Sequence, residues 1–288
     1  MGQTPARLPS QRFLRDSLVS PMKRAGAPPV PVNDKTSLET DACLLVFDSH
    51  QNVEWIRSIL NKERDRVSHV LLGGDYFDAV PKEGSASVEE TCNFLTDVAA
   101  EWGDRVTFLL GNHDVHYAEA KRWCDQRRSP RNLNYKCSGY TNNKAKKIAS
   151  RLNWEFWQGC RLFQMVNGWL ISHAGVAGLY WPKDLPVDRA LVALEATCSD
   201  ILKRFPYHDF PLLHGGRARA GTEELGGPTW LDFNFEFTDD EVPLPQIFGH
   251  TRSSHGAKQK GRSWCLDGAQ TCYAILHRDG TLEHFARP

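Results

Sequence analysis

The sequence predicts an α/β layered fold, and three observations carry that expectation. Apolar runs of strand length occur at ACLLVFD (42–48), HVLLGGD (69–75) and VTFLLGN (106–112). They are continuous rather than alternating, as in strands buried on both faces. Segments of helical periodicity separate them, so the order is β-α-β-α-β, which gives a right-handed layered arrangement.

The elements follow in order. Residues 1–40 are rich in Pro, Ser, Arg and Lys and lack periodicity. They read as a mobile tail with one short helix over 12–19, and the domain as 41–288. Val53, Ile56, Ile59 and Leu60 mark a helix over 52–64. A second helix is expected over 87–102, where Ser85 or Ser87 can cap and Glu89-Glu90 suit the first turn. An insertion at about 115–160 holds a short helix, a basic loop (RRSPR) and a helix over 142–152. Trp154, Phe156 and Trp157 read as core. Residues 161–173 form a hairpin turning at Asn167-Gly168. A long amphipathic helix covers 187–205, and the Gly- and Pro-rich 206–246 reads as loops lining a site. QIFGH, SWCLD, TCYAILH and TLEHFA return to strands.

Composition limits the function classes. Lys+Arg and Asp+Glu number 35 each, so no global basic excess argues for nucleic acid or an anionic membrane. No apolar run approaches the ~18 residues of a membrane span. The first residues hold no continuous apolar segment, and Ala6 stands where a myristoylation signal prefers Ser or Thr. The eight cysteines include no CxxC pair and read as reduced thiols. A cytoplasmic location is expected.

Chemistry concentrates at strand ends. The first three apolar runs close in Asp48-Ser49-His50, Gly74-Asp75 and Gly111-Asn112-His113-Asp114; WLISH and IFGH close in His173 and His250. Carboxyl ends of strands in an open α/β sheet line up along one edge, where ligands bind. These clusters therefore converge, although 27 and 37 residues separate Asp48, Asp75 and Asn112. Singly, each is a turn, cap or ordinary histidine. Jointly, carboxylates, imidazoles and an amide oxygen form a set of metal ligands that suits Mn, Fe or Zn better than Ca.

The motifs Asp48-Ser49-His50, Gly74-Asp75-Tyr76-Phe77-Asp78, Gly111-Asn112-His113-Asp114, His173-Ala174-Gly175 and Gly249-His250-Thr251 resemble, in this order, those of the calcineurin-like metallophosphoesterase superfamily. The branch most similar holds Ser/Thr phosphoprotein phosphatases and diadenosine tetraphosphatases, and the resemblance spans about residues 42–286. It implies a four-layer α-β-β-α sandwich with a dinuclear site at the carboxyl ends of the strands. It implies that Asp48 and His50 hold one divalent metal, that Asp75 bridges, and that Asn112, His173 and His250 complete the second. Manganese is the first choice, iron or zinc the others. His113 would protonate the leaving oxygen or stabilise the transition state, oriented by Asp78. A hydroxide bridging the metals would attack phosphorus in line.

The chain departs from the family pattern in places. Gln51 stands where Gly is common, Ala79 where phosphoprotein phosphatases carry a phosphate-gripping Arg, and Arg252 where many members have a second His. Arg217 and Arg219, in a Gly-rich loop, are candidate substrate contacts, since a guanidinium fork suits phosphate. His255 lies off register for a ligand, and Cys265 reads as packing. The insertion carries Lys121, Arg122, Arg127, Arg128, Arg131, Lys136, Lys144, Lys146 and Lys147 among Trp123, Tyr135 and Tyr140. That is either a polyanion surface or, as the balance of charge favours, a solvated helical face. The expected function is hydrolysis of phosphate esters, monoesters first. The alternatives are a phosphodiesterase or nuclease, a dinucleoside polyphosphate hydrolase, or a non-catalytic scaffold. Substrates would be a phosphorylated small molecule, a nucleotide or a phosphoprotein; nucleic acid is not favoured, and no membrane partner is expected.

Overall fold

The computed structural model describes residues 37–79, 86–127, 137–203 and 210–286. The expected tail helix over 12–19 and residues 128–131 of the RRSPR loop lie outside them. Among the described residues, eleven strands form two sheets. The first is β11-β10-β2-β3-β4, with β2 (Ala42–Val46), β3 (His69–Leu72) and β4 (Val106–Phe108) parallel, and β10 (Cys272–His277) and β11 (Leu282–Ala286) antiparallel. The second is β1-β5-β6-β7-β9-β8. It contains β1 (Ser37–Leu38), the hairpin β5 (Phe163–Val166) and β6 (Trp169–Ser172), then β7 (Gln246–Phe248), β8 (Lys258–Lys260) and β9 (Ser263–Cys265).

The sheets pack face to face. Cys43, Leu45, Leu71, Ala274 and Leu276 of one meet Val166, Ile171 and Ile247 of the other in one buried core. Strands β2 and β3 are buried on their second face as well. Leu44 and Val46 of β2 point away from that core yet are fully covered, which is why the strand is a continuous apolar run. Helices α1 (Val53–Glu63) and α2 (Val88–Trp102) make the crossovers. Helix α1 buries Val53, Ile56, Ile59 and Leu60 on one stripe. In α2, Ser87 and Glu90 form a reciprocal capping box, which satisfies two N–H groups of the first turn. On β7, Phe248 packs against Phe233 and Phe237, so an aromatic loop covers that strand's outer face. The expected α-β-β-α architecture is the one found.

Several expectations change in detail. Residues 37–40 join the fold: Ser37 and Leu38 pair parallel with Met165 and Val166, and the Thr40 amide donates to Asn167 Oδ1 at 3.0 Å. Strands β2, β3 and β4 end two or more residues before their motif residues, because the chain leaves the extended conformation there, whereas His173 and Gly249 directly follow β6 and β7. Asn112 and His113 open helix α3 (Asn112–Asp125). The start of the expected insertion is thus the continuation of that helix rather than a separate unit. Helices α4 (Asn142–Arg151), α5 (Trp154–Gly159) and α6 (Val187–Lys203) are the remaining α-helices among the described residues. Trp157 is buried, whereas Trp154 and Phe156 are half-exposed. The guanidinium of Arg122 lies 4.4 Å from the Trp154 ring centre, a contact that leaves the indole at the surface. All eight cysteines are free.

Candidate metal centre

Asp48, His50 and Asp75 lie in the loops that follow β2 and β3, and Asn112 and His113 on the first turn of α3 after β4. His173 follows β6, and His250 follows β7. The backbone at these strand ends is unusual. Asp48, His50, Gln51, Asp75, Asp78 and His250 all have φ between 42° and 66°, a left-handed conformation costly for side-chain-bearing residues. At Gly249 a side chain would collide with the Asp48 carboxylate, so the fifth motif needs glycine for close approach. Gln51, placed where the family pattern has Gly, uses its amide: Oε1 accepts from the Ala79 N–H at 3.1 Å and Nε2 donates to Ala86 O at 2.9 Å.

Asp75 is the geometric centre. Its Oδ2 lies 3.8 Å from His50 Nε2 on one side and 3.5 Å from His173 Nε2 on the other. His173 Nε2 is 3.2 Å from Asn112 Oδ1 and 3.3 Å from His250 Nδ1. The Asp48 carboxylate accepts from the His250 backbone N–H at 2.9 Å. Two groups of potential ligand atoms therefore share Asp75: His50, Asp75 and His113, and Asp75, His173 and His250.

The donor set fits divalent metal ions. His50 Nδ1 is 3.0 Å from Phe77 O, and His173 Nδ1 is 2.8 Å from Gly73 O. A carbonyl only accepts, so each Nδ1 carries the proton and each Nε2 turns toward Asp75, the arrangement that orients metal-binding imidazoles. The Asn112 amide is fixed in the same way. Its Nδ2 donates to Cys137 Sγ at 3.1 Å, which turns Oδ1 toward His173.

Charge in the metal-free site is frustrated. Burial pushes the Asp48 carboxyl up, and nearby Asp267 adds to it. Burial also opposes ionisation of Asp75, but His173, His113 and His50 overcome it and hold that carboxyl well below the usual range. His173 would be lowered by burial, yet the Asp75 and Asp48 carboxylates carry it up to about 10. Burial, the His173 imidazole and the Arg219 guanidinium then keep His250 neutral. A proton on His173 stands where a cation would neutralise the same carboxylates.

His113 Nδ1 meets Asp78 Oδ2 at 2.8 Å, and its backbone N–H donates to Asp75 Oδ1 at 3.1 Å. Burial opposes the charged imidazole, but Asp75 and Asp78 raise its pKa overall. Arg219 sits at the edge of the site. It donates to Thr251 Oγ1 at 3.0 Å and pairs with Asp232 at 2.9 Å. Arg217 is exposed and makes no bond to a site residue. His255 is exposed, and Cys265 is buried with its thiol 3.2 Å from Gly249 O, as packing requires.

The profile described as calcineurin-like phosphoesterase matches residues 46–266. The chain belongs to that family. It is a hydrolase acting on phosphoric esters. No curated protein matches it. Among solved structures, a cold-active protein-tyrosine phosphatase of a psychrophilic Shewanella species is 17% identical, with 88% of this chain and 82% of that chain covered and a TM-score of 0.52. A putative diadenosine tetraphosphatase is 14% identical, with 88% and 97% covered and a TM-score of 0.48. A protein serine/threonine phosphatase from Saccharomyces cerevisiae is 13% identical, with 87% and 81% covered and a TM-score of 0.45. At 17% identity the likeness to the first of these is one of fold.

Asp114, the last residue of the third motif, also supports the phosphoesterase's site, as do Tyr117 and Lys144, which lie outside the motifs. Asp114 accepts from the backbone N–H groups of Asp75, Gly111 and Tyr76. Tyr117 and Lys144 both reach Asp78. Among the described residues no helix is long and apolar enough to cross a membrane.

Proposed function

We propose that this phosphoesterase hydrolyses phosphomonoesters with two divalent metal ions. Asp48, His50 and Asp75 would hold one, and Asp75, Asn112, His173 and His250 the other. The observation that carries this reading is the position of the Asp75 carboxylate between two imidazoles whose Nε2 atoms both face it. Bound there, the cations would supply neutralisation of phosphoryl charge and activation of the attacking water. Manganese is the first candidate, since the mixed carboxylate, imidazole and amide set suits it.

The remaining work falls to the chain's own groups. Asp75 and Asp78 favour the doubly protonated ring of His113, which donates Nδ1–H to Asp78 and keeps a second proton at Nε2 for the leaving oxygen. Asp78 fixes the ring. Arg219, already oriented by Asp232 and Thr251, is the better placed of the two loop arginines to meet a phosphoryl oxygen. The insertion's cations support monoesters over nucleic acid, because several are engaged within the molecule. Lys121 pairs with Asp125, Lys147 and Arg151 lie near Glu89, and Arg122 bonds the carbonyls of Leu202 and Lys203. The eight free cysteines suit a reducing, cytoplasmic location.

A phosphate-release panel with Mn²⁺ tests the reading: an aryl monoester, an aryl diester, a phosphopeptide, a mononucleotide, a dinucleoside polyphosphate and an oligonucleotide. Monoester turnover that chelation abolishes is expected, with His113→Asn inactive at unchanged metal content. Faster diester or oligonucleotide cleavage, or full activity in His113→Asn, would overturn it.

A further inference from the structure

The site contains a cation that none of the five motifs supplies. The Asp78 side chain is 1% exposed and receives three donors. His113 Nδ1 takes Oδ2, while Tyr117 OH at 2.6 Å and Lys144 Nζ at 2.8 Å both take Oδ1. Lys144 belongs to α4, in the insertion, and its ammonium also donates to Gly139 O at 2.8 Å.

Three more contacts show that this stretch is built against the site. Gly139 has φ 89°, and a Cβ there would lie 3.0 Å from Asp78 Cβ and 3.1 Å from its Oδ1. The Tyr140 ring stacks on Tyr117, the second donor to Asp78, with centroids 5.2 Å apart and planes 27° apart. Cys137 holds the Asn112 amide. Residues 137, 139, 140 and 144 thus touch Asn112, Asp78 or Tyr117.

We propose that Lys144 is a positioning residue for the phosphoryl-transfer step, pinning Oδ1 of Asp78 so that Oδ2 stays on the His113 ring. This rests on the proposed role of His113 as proton donor. A carboxylate held on one oxygen by a single hydroxyl can rotate about its Cβ–Cγ bond. One held on that oxygen by an ammonium and a hydroxyl is fixed, and charge-assisted bonds are the stronger kind. Exposed ion pairs contribute little, but this one has a buried carboxylate and a lysine only 29% exposed. The residue following Asp78 is Ala79, so the adjacent motif position brings no cation, and the insertion brings one.

The experiment uses the full chain loaded with Mn²⁺ and compares wild type, Lys144→Met, Lys144→Arg and His113→Asn on two aryl monoesters, phenyl phosphate and p-nitrophenyl phosphate. A misplaced proton donor matters most for the poor leaving group. Lys144→Met should therefore lose about 10- to 100-fold in kcat on phenyl phosphate and far less on p-nitrophenyl phosphate. KM, metal content and Tm should be unchanged, and Lys144→Arg should recover most of the loss. Equal losses on both esters, a raised KM at constant kcat, or a loss that follows a fallen Tm would overturn the proposal. If His113→Asn shows the leaving-group dependence and Lys144→Met does not, the lysine's role alone fails. If neither shows it, the reading of His113 fails with it.

Discussion

Asp114 Oδ2 accepts the backbone N–H of Asp75 at 2.6 Å, so the carboxylate at the centre of the site is held by the helix that also carries Asn112 and His113. The same side chain takes the N–H groups of Gly111 at 2.9 Å and Tyr76 at 3.1 Å. Asp114→Ala leaves three buried N–H groups without an acceptor. It should destabilise the fold by about 2 to 4 kcal/mol and weaken metal binding about 10- to 100-fold. Urea melts and Mn²⁺ titration of the variant check both numbers.

Metal binding should release protons. Without metal, the nearby carboxylates raise His173 to about 10, so it is protonated at neutral pH. A ligand must shed that proton, and apparent affinity then rises with pH, by up to about tenfold per unit for one proton. Calorimetric titration with Mn²⁺ in buffers of different ionisation enthalpy reads the proton count. Affinity that does not change between pH 6 and pH 8 would contradict the charge pattern.

Turnover should fail on the alkaline side. His113 is raised above the ordinary imidazole range by Asp75 and Asp78, despite the opposing effect of burial. An acid with a raised pKa keeps its proton further into the alkaline range, and activity is lost as pH rises through that pKa. Asp78→Asn removes one of the raising charges, so the alkaline limb of kcat should move to lower pH, with a lower maximum. A pH–rate profile of both proteins tests the sign.

His69 offers a test of stability away from the site. Burial, helped by Arg105, lowers its pKa to about 4, and its Nε2 lies 3.0 Å from Thr107 Oγ1. The unfolded chain binds a proton near pH 6.5 and the folded one near 4. Stability from the neutral ring is therefore present above 6.5 and lost as pH falls toward 4. Between pH 7.5 and 4.5, metal-free wild type should lose roughly 2 to 2.5 kcal/mol more than His69→Gln, measured as urea unfolding free energies.

The proposed ligands stand out in the sequence because of the strands that precede them. A strand buried on both faces is an unbroken apolar run, so a polar residue that closes the run stands out, and Asp48, Asp75, Asn112, His173 and His250 each follow such a run. The supporting residues have no such contrast. Lys144, Lys146 and Lys147 lie on one short helix and read alike; only tertiary packing sends Lys144 to Asp78 and Lys147 toward Glu89. Cys137 and Tyr140 were part of a stretch with no periodic pattern. Strand β1 escaped notice because two residues carry no alternation.

Of the eleven non-glycine residues with positive φ among the described residues, six lie in the loops of the proposed site. Each costs roughly 1 to 3 kcal/mol relative to relaxed backbone. The rest of the sandwich must carry that load, and so natural drift and laboratory selection pull in the same direction. A lineage no longer required to turn over substrate, or a thermostability screen run on metal-free protein, gains by relaxing these loops first. The expected end point is a hardier sandwich with an intact core and no chemistry.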